Sequence, residues 1–362
     1  MSRARAVAAY VTTHGFGHAV RTATVLERWL AADSDIVVHV RTVLPRRLFP
    51  PECERLRFRE AETDVGLLQH DCLSIDFAAT IARLDDFERD AVTRIEAEAS
   101  WLRATGVKLV LGDIPPLAFA AAEHADIPSV ALGNFSWDWV YEHYIERDPR
   151  FAFHAERAAE RYRSAGALLR LPFHGPMRAF EDPIDLPILA PRTAVPAEAA
   201  RRALGLPLDG PLVALSFGGI GFPGLELDRL QSIRGIRFVT TDRVPSAPPN
   251  VLRVDPETVD YMMLLAACDA VVSKPGYGIV ATCLARGLRL LCAWRADFPE
   301  APILVRALEE HGTAAFVSVE TLASGDFGAE LEALLARPVA PARLAADGAE
   351  RAVEFLSREM AR

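Results

Sequence analysis

Hydrophobic and polar positions fall along the chain in two kinds of block. Short, continuous apolar runs occupy residues 6–12, 35–41, 107–111, 129–132 and 167–171. Between them, apolar residues recur at helical spacing over 18–31, 77–105, 117–124, 137–146 and 151–164. Apolar runs of this length read as strands buried on both faces. Their alternation with helices predicts a parallel sheet covered by helices. The pattern then breaks. The stretch "LPFHGPMRAFEDPIDLPILAPRTAVP" holds six prolines and little periodicity. Each proline lacks an N–H donor and disfavours helix in the residue before it. A second alternation follows, with strands expected at 212–217, 236–240, 251–254, 270–273, 289–293 and 314–317. Helices are expected at 259–267, 278–286, 302–311 and 327–335, and a terminal one at 341–360.

The fold class predicted is α/β, with two doubly wound, Rossmann-like domains facing across a cleft. The expected division is an N-terminal domain at 1–185, a linker at 186–208 and a C-terminal domain at 209–340. A C-terminal helix at 341–362 is free to pack back on the first domain. In sheets of this kind ligands bind beyond the carboxyl ends of the strands.

Length supports two domains, because 362 residues exceed one ordinary core. The net charge of -9, from 40 basic and 49 acidic residues, argues against a nucleic-acid partner held through its phosphates. The five cysteines (Cys53, Cys72, Cys268, Cys283 and Cys292) are scattered and form no C-x-x-C pair. Reduced thiols in a cytoplasmic protein are the expectation. No run approaches the roughly 18 to 20 apolar residues of a membrane span. The opening "MSRARAVAAYV" leads straight into a strand without a cleavage pattern, so no signal peptide is read. Peripheral membrane contact is left open.

Candidate chemistry begins at "THGFGH", after the first strand. Gly15 and Gly17 let backbone approach a ligand, and the helix that follows offers its positive end. His18 or His14 there can take a proton from a hydroxyl near neutral pH. A helix cap, a plain turn and a metal pair are the other readings. The metal pair needs both glycines in a helix, which glycine disfavours, and no metal is expected. Asp113 ends the strand pattern of "VKLVLGD". It can orient His18 and stabilise its protonated form, or cap the helix starting near 115. Beside the histidine loop, the dyad is the preferred reading. In "GNFSWDWVYEHY", Trp137 and Tyr141 lie at core-stripe spacing, and the loop 134–136, with Asn134, is assigned to the cleft.

The second half carries two glycine-rich turns. "LVALSFGGIGFPG" places Gly218 and Gly219 after a strand but lacks the Lys-Ser/Thr of a P-loop. "CDAVVSKPGYGIVATCLARG" ends a strand at Ser273, turns through Lys274, Gly276 and Gly278, and begins a helix. Helix N–H groups with a lysine beside them suit a diphosphate. An ordinary strand-to-helix turn needs fewer glycines.

Together these motifs resemble the GT-B glycosyltransferases, particularly the branch of MurG-type and plant small-molecule enzymes. A closer likeness is to the glycosyltransferase-like domain at the N-terminus of plant arabinose kinases. There, patterns like "GHGFGHATR", "NFSWD" and "KPGYG" occur together. The resemblance implies a hexosyltransferase-type enzyme. It would move a hexose-type sugar, with inversion, from a nucleotide-diphosphate sugar to a hydroxyl. The donor expected is a UDP-sugar, the acceptor a small or lipid-linked molecule, and no metal or other cofactor is required. By the same resemblance, His18 is the general base and Asp113 its orienting partner. Gly276, Gly278 and Ile279 give N–H groups to the diphosphate. Asp297 and Glu300, in "RADFPE", bind donor-sugar hydroxyls, and Thr240 and Thr241 line the donor pocket. His14, Gly15, Gly17 and Asn134 fall on the acceptor side. One departure stands out. Thr282, six residues after Gly276, occupies the place where the family commonly keeps a ribose-binding glutamate. "GLRLL" also lacks the proline expected two residues after Gly287. Two other functions share the fold. A nucleotide-sugar epimerase would need several carboxylates facing the sugar, and no such set is evident. A non-catalytic sugar or nucleotide-sugar binding module fits the loss of the glutamate.

Overall fold

Every long apolar run becomes a strand, and each strand pairs in parallel with its neighbours. The structure, a computed structural model, describes residues 5–51, 53–190, 195–218, 221–242, 246–293, 297–339 and 344–362. The chain divides into two units. The first comprises Met1–Leu68, Ile75–Leu189 and Ala345–Arg362, and the second comprises Gln69–Ser74 and Ala190–Leu344.

The first unit begins with β1 (Arg5–Val11), α1 (Phe16–Ala32), β2 (Ile36–Arg41) and β3 (Leu56–Arg59). It continues through α2 (Phe77–Arg89), α3 (Ala91–Thr105), β4 (Val107–Asp113), α4 (Pro116–His124) and β5 (Ser129–Gly133). Helices α5 (Trp137–Glu142) and α6 (Phe151–Tyr162) lead to β6 (Ala167–Arg170) and β7 (Ile184–Asp185). The strand order is β3-β2-β1-β4-β5-β6-β7. Strand order reverses between β1 and β4, where Val11 stands in register with Asp113. That reversal opens the crevice in which doubly wound sheets bind ligands.

The second unit holds α7 (Ala197–Ala203), β8 (Leu212–Ser216), β9 (Arg237–Thr240), β10 (Val251–Arg253), α8 (Tyr261–Ala267) and β11 (Ala270–Ser273). Then come α9 (Tyr277–Arg286), β12 (Arg289–Ala293), α10 (Ala301–His311), β13 (Ala314–Val317), α11 (Val319–Ser324) and α12 (Gly328–Ala336). The order β10-β9-β8-β11-β12-β13 reverses between β8 and β11. The core of this unit packs Val213, Phe217, Phe238, Val272 and Leu291 with Cys72 and Leu73 from the segment Gln69–Ser74. The last helix, α13 (Gly348–Glu359), returns to the first unit and packs on α1, with Arg28 and Glu350 3.6 Å apart. Gly348 lets the start of this helix lie against the chain at Pro187, because a Cβ there would lie 2.3 Å from the Pro187 carbonyl oxygen.

Two expected helices need correction, and two further features stand beside them. The helix expected over 77–105 is two helices. Asp90 leaves helical geometry (φ -102, ψ 1), ending α2 and standing at the N-cap of α3 without a side-chain cap hydrogen bond. The terminal helix begins at Gly348, and residues 344–347 are not helical, while 341–343 lie outside the described residues. The expected linker 186–208 carries α7, and Leu186, Ile188 and Leu189 are buried. Strand β3 had no sequence signal, because "LRFR" alternates arginine with apolar residues over only four positions. All five cysteines are free thiols. Among the described residues no helix is long and apolar enough to cross a membrane.

Candidate active site

The loop after β1 and the end of β4 meet at the reversal of the first sheet, and a buried ionic cluster occupies that place. Gly15 precedes α1 with φ 102, a backbone that only glycine adopts without strain. The helix starts at Phe16, so Gly17 is helical but Gly15 is not, and His14 lies outside the helix. His18, Arg21 and Thr22 stand three and four residues apart, on one face of α1. All three reach Asp113, which is fully buried at the end of β4.

The carboxylate is surrounded by donors. His18 Nδ1 lies 2.8 Å from Asp113 Oδ1. Arg21 donates from Nε to Oδ2 (2.7 Å) and from Nη2 to Oδ1. The Thr22 hydroxyl donates to Oδ2 at 2.7 Å. Burial pushes the carboxyl upward, but the charges of Arg21 and His18 and their hydrogen bonds outweigh it and hold Asp113 at about 2. Asp113 is therefore an anion at any ordinary pH. Facing this anion at 2.8 Å, His18 Nδ1 is assigned the proton, because two lone pairs at that distance repel; Arg21 Nη2, 2.9 Å from the same nitrogen, is then a second donor beside it and not a hydrogen bond to the ring. The neutral ring in this form carries its basic lone pair on Nε2. Asp113 does not cap α4; Pro115 holds the cap position with no side-chain bond.

The backbone beside the cluster is strained. Ile114 has φ 57, a left-handed conformation that is costly for a β-branched side chain, by about 1–3 kcal/mol. Two features hold it. The Tyr162 hydroxyl donates to the Ile114 carbonyl at 2.6 Å. Gly133 leaves room, since a Cβ there would sit 2.6 Å from Ile114 Cγ2 and 3.7 Å from Arg21 Nη2. Asn134 follows, fully buried, and its side-chain oxygen accepts from Arg21 Nη1 at 2.7 Å. The residue assigned to the acceptor thus turns its amide oxygen toward Arg21.

A second buried acid lies next to the histidine loop. Asp64 accepts from the Thr12 hydroxyl, from the Thr13 backbone N–H (3.3 Å) and from Trp137 Nε1 (3.0 Å). Burial raises its carboxyl to about 6, against the opposing pull of those three hydrogen bonds. His14 packs edge-on against Trp137, with ring centroids 4.9 Å apart, and its Nδ1 accepts from the Leu67 N–H at 3.4 Å. Trp137 and Tyr141 stack 5.7 Å apart as buried core residues.

In the second unit the two glycine turns follow β8 and β11, at that sheet's own reversal. Gly218 lies beside Lys274, with a Cβ at 218 coming 4.0 Å from Lys274 Cε. Gly219 lies outside the described residues. The Ser273 hydroxyl donates to the Ser216 carbonyl at 2.5 Å, so it ties β11 to β8. Gly276 caps α9 with φ -107, and a Cβ there would meet nothing within 4 Å. Neither conformation nor packing within the chain demands glycine at this position. Open space before a helix start leaves room for a ligand to come close, and Gly278 and Ile279 lie in that first turn, whose N–H groups have no intrahelical acceptor. Lys274 is one of two lysines beside 38 arginines in this chain. An ammonium is the more compact and mobile cation for a phosphate.

The remaining donor candidates are dispersed in role. The Thr282 hydroxyl donates to its own helix, to the Gly278 carbonyl at 2.8 Å. Thr240 ends β9, buried, and its hydroxyl accepts from the Asp242 N–H at 3.0 Å; Thr241 is half-buried. Glu300 is buried at the start of α10, and Asp297 is exposed. Residues 294–296 of "RADFPE" and its flank lie outside the described residues. Among the described residues no group of three or more His, Cys, Asp or Glu is arranged to hold a metal ion.

Sequence reasoning missed Arg21 and Asp64. Arg21 had a signal, its spacing of three from His18 in "GHAVR". Asp64 had none, because it lies in an irregular loop without periodicity.

No family model matches the chain. L-arabinokinase of Arabidopsis thaliana is 34% identical over 314 residues, which is 83% of this chain and 29% of that protein. The chain therefore spans less than a third of this curated relative's length. Among solved structures, CalG4, the calicheamicin glycosyltransferase, matches with a TM-score of 0.61 at 16% identity, over 100% of this chain and 99% of that one. Phytolacca americana UGT2, complexed with UDP-2-fluoro-glucose and pterostilbene, matches with a TM-score of 0.60 at 15% identity, over 100% of this chain and 94% of that one. Identities this low carry the fold alone. With two parallel, doubly wound sheets and full-length likeness to these enzymes, the chain is a protein of the GT-B glycosyltransferase fold.

Proposed function

We propose that this chain is an inverting glycosyltransferase that moves a hexose-type sugar from a nucleoside-diphosphate sugar to an acceptor hydroxyl. The observation that carries the reading is the contact of 2.8 Å between His18 Nδ1 and the buried, ionised Asp113. It fixes the ring and leaves Nε2 as the basic nitrogen. In the reaction, Nε2 takes the proton of the acceptor hydroxyl as its oxygen attacks the anomeric carbon. The bond to the diphosphate breaks on the opposite face, so one displacement inverts the centre. Asp113 stabilises the imidazolium that forms. The departing diphosphate carries its charge to Lys274 and to the N–H groups of Gly278 and Ile279, which perform the neutralisation without a metal.

The donor proposed is a UDP-sugar, in keeping with the UDP-2-fluoro-glucose in the Phytolacca structure. Pterostilbene in the same structure makes a small aromatic alcohol a sensible first acceptor, with lipid-linked acceptors to be tried beside it. The kinase activity in the name of the Arabidopsis relative is not carried over, because the chain spans 29% of that protein.

A second reading has one observation in its favour. The Thr282 hydroxyl is engaged by the Gly278 carbonyl, where a ribose-binding carboxylate was expected. That weakens the nucleotide grip and suits a non-catalytic nucleotide-sugar binding module. One experiment separates the readings: a thermal-shift panel of nucleoside diphosphates and nucleotide sugars, followed by transfer assays with the donors that bind. Transfer that falls by about 10²- to 10⁴-fold in His18→Ala, with donor binding intact, is expected of the enzyme. Donor binding with no transfer across the acceptor screen identifies the binding module. A panel without any thermal shift defeats both.

A further inference from the structure

Asp113 is shared between His18 and Arg21, and the sharing has a chemical consequence. A lone carboxylate buried 2.8 Å from an imidazole favours the protonated ring, and a protonated ring has no lone pair for an incoming proton. A dyad of aspartate and histidine in a dry site therefore works against its own base. Here the carboxylate has a permanent counter-charge. The guanidinium of Arg21 grips both oxygens of Asp113 and donates its remaining arm to Asn134. Its Nη2 also lies 2.9 Å from His18 Nδ1.

We propose that Arg21 is the positioning residue of the dyad, holding Asp113 in place and cancelling its charge so that His18 remains a neutral base with its proton on Nδ1. The inference deepens the reading of His18 as the general base and rests on it. Its geometry is specific. Planar, with donors on three sides, Arg21 is fixed between Asp113 of β4 and Asn134 after β5. Helical spacing of three residues fixes it against His18. Arg21 and Asp113 are both buried, so solvent screens neither charge. Among the described contacts, His18 meets Asp113 from β4, Arg21 from α1 itself and the uncharged ring edge of Phe135, 5.5 Å away. Asp64, from the loop after β3, acts on the cluster through its charge coupling to Asp113. A lysine could not replace Arg21, because one ammonium cannot bridge two carboxylate oxygens and the Asn134 amide together.

The test is a ring-nitrogen NMR titration of protein with isotope-labelled histidine, with His18 identified by the signal lost in His18→Gln. In the wild type the neutral ring is expected to show the proton on Nδ1; a proton on Nε2 overturns the proposal. In Arg21→Gln the His18 midpoint is expected to rise by about one to three pH units, since a neighbouring positive charge is gone. An unchanged or lower midpoint overturns it. Should Arg21→Gln fail to fold, Asp113→Asn and the double variant Asp113→Asn/Arg21→Gln decide alone. The single variant leaves a cation beside the ring and is expected to lower the midpoint. The double variant, with both charges removed, is expected to return it toward the wild type. A double variant that titrates like Asp113→Asn overturns the proposal. None of these readings needs turnover. A failure to find transfer strikes the glycosyltransferase reading and leaves the role of Arg21 standing, while a flat Arg21 response does the reverse.

Discussion

Asp113 and Asp64 are both buried at the carboxyl end of the first sheet, and burial pushes both carboxyls upward, yet they end on opposite sides of the ordinary value. Asp113 is held at about 2 and Asp64 is raised to about 6. Both accept several hydrogen bonds, so the number of donors does not explain the contrast. The kind of donor does. Asp113 faces a guanidinium and an imidazole, whereas Asp64 faces a hydroxyl, a backbone amide and an indole. Neutral dipoles only partly replace the water that a carboxylate loses, and a full counter-charge favours the ionised form more strongly. The two acids thus suit different work. Asp113 is a fixed charge for the histidine, and Asp64 is an anchor that ties Thr12, Thr13 and Trp137 beneath the loop carrying His14.

The contrast breaks most directly at the ion pair. Asp113→Asn leaves Arg21 buried without its carboxylate, and a loss of about 3–5 kcal/mol in denaturant unfolding is expected. Asp64→Asn removes no ion pair and turns one acceptor into a donor, for an expected loss of about 1–2 kcal/mol at pH ~4, where the folded wild-type carboxyl is still protonated. Equal losses in the two variants would erase the distinction.

Acid dependence sharpens it further, because the two groups carry opposite signs. Asp113 sits below the unfolded value of 3.8, so its contribution is complete above that pH and is lost as pH falls toward 2. Asp64 sits above the same value, so the folded state is increasingly penalised as pH rises from 3.8 to about 6. The penalty reaches about 3 kcal/mol. Unfolding free energies measured across pH 3 to 8, by pH-stepped urea titration (roughly the window of the two shifts), are expected to lose the decline between pH ~4 and ~6 in Asp64→Asn alone. A decline that persists in that variant assigns it to another group. The smallest effect is expected from Thr22→Val, which keeps the shape of the side chain and deletes one neutral donor to Asp113. A loss of about 1 kcal/mol fits a hydrogen bond that supports the cluster without balancing its charge. A loss as large as that of Asp113→Asn would mean that neutral donors, and not Arg21, secure the carboxylate.

What could be read from the sequence follows from where each residue's information lies. The buried strands announce themselves as apolar runs because parallel sheets are covered on both faces. His18 and Asp113 were legible because each closes such a run or opens the helix after it. Arg21 was written in the helical spacing of "GHAVR", but its burial depends on β4 and β5, which are distant in sequence. Asp64 sits in a loop whose path is set by tertiary contacts, so no local pattern marks it. The break of the long helix at Asp90 is a single-residue event inside otherwise continuous periodicity. Thr282 was noticed as an absent carboxylate, while its bond to the Gly278 carbonyl needed coordinates.

The division into two units also has a consequence for how the chain assembles. The second core contains Cys72 and Leu73, which belong to Gln69–Ser74, and the first unit is completed only by Ala345–Arg362. Neither unit is an unbroken stretch of sequence. A ribosome releasing residues in order finishes the second unit before it delivers the helix that covers α1. A single cut near residue 190 would deprive both products, one of its last helix and the other of part of its core.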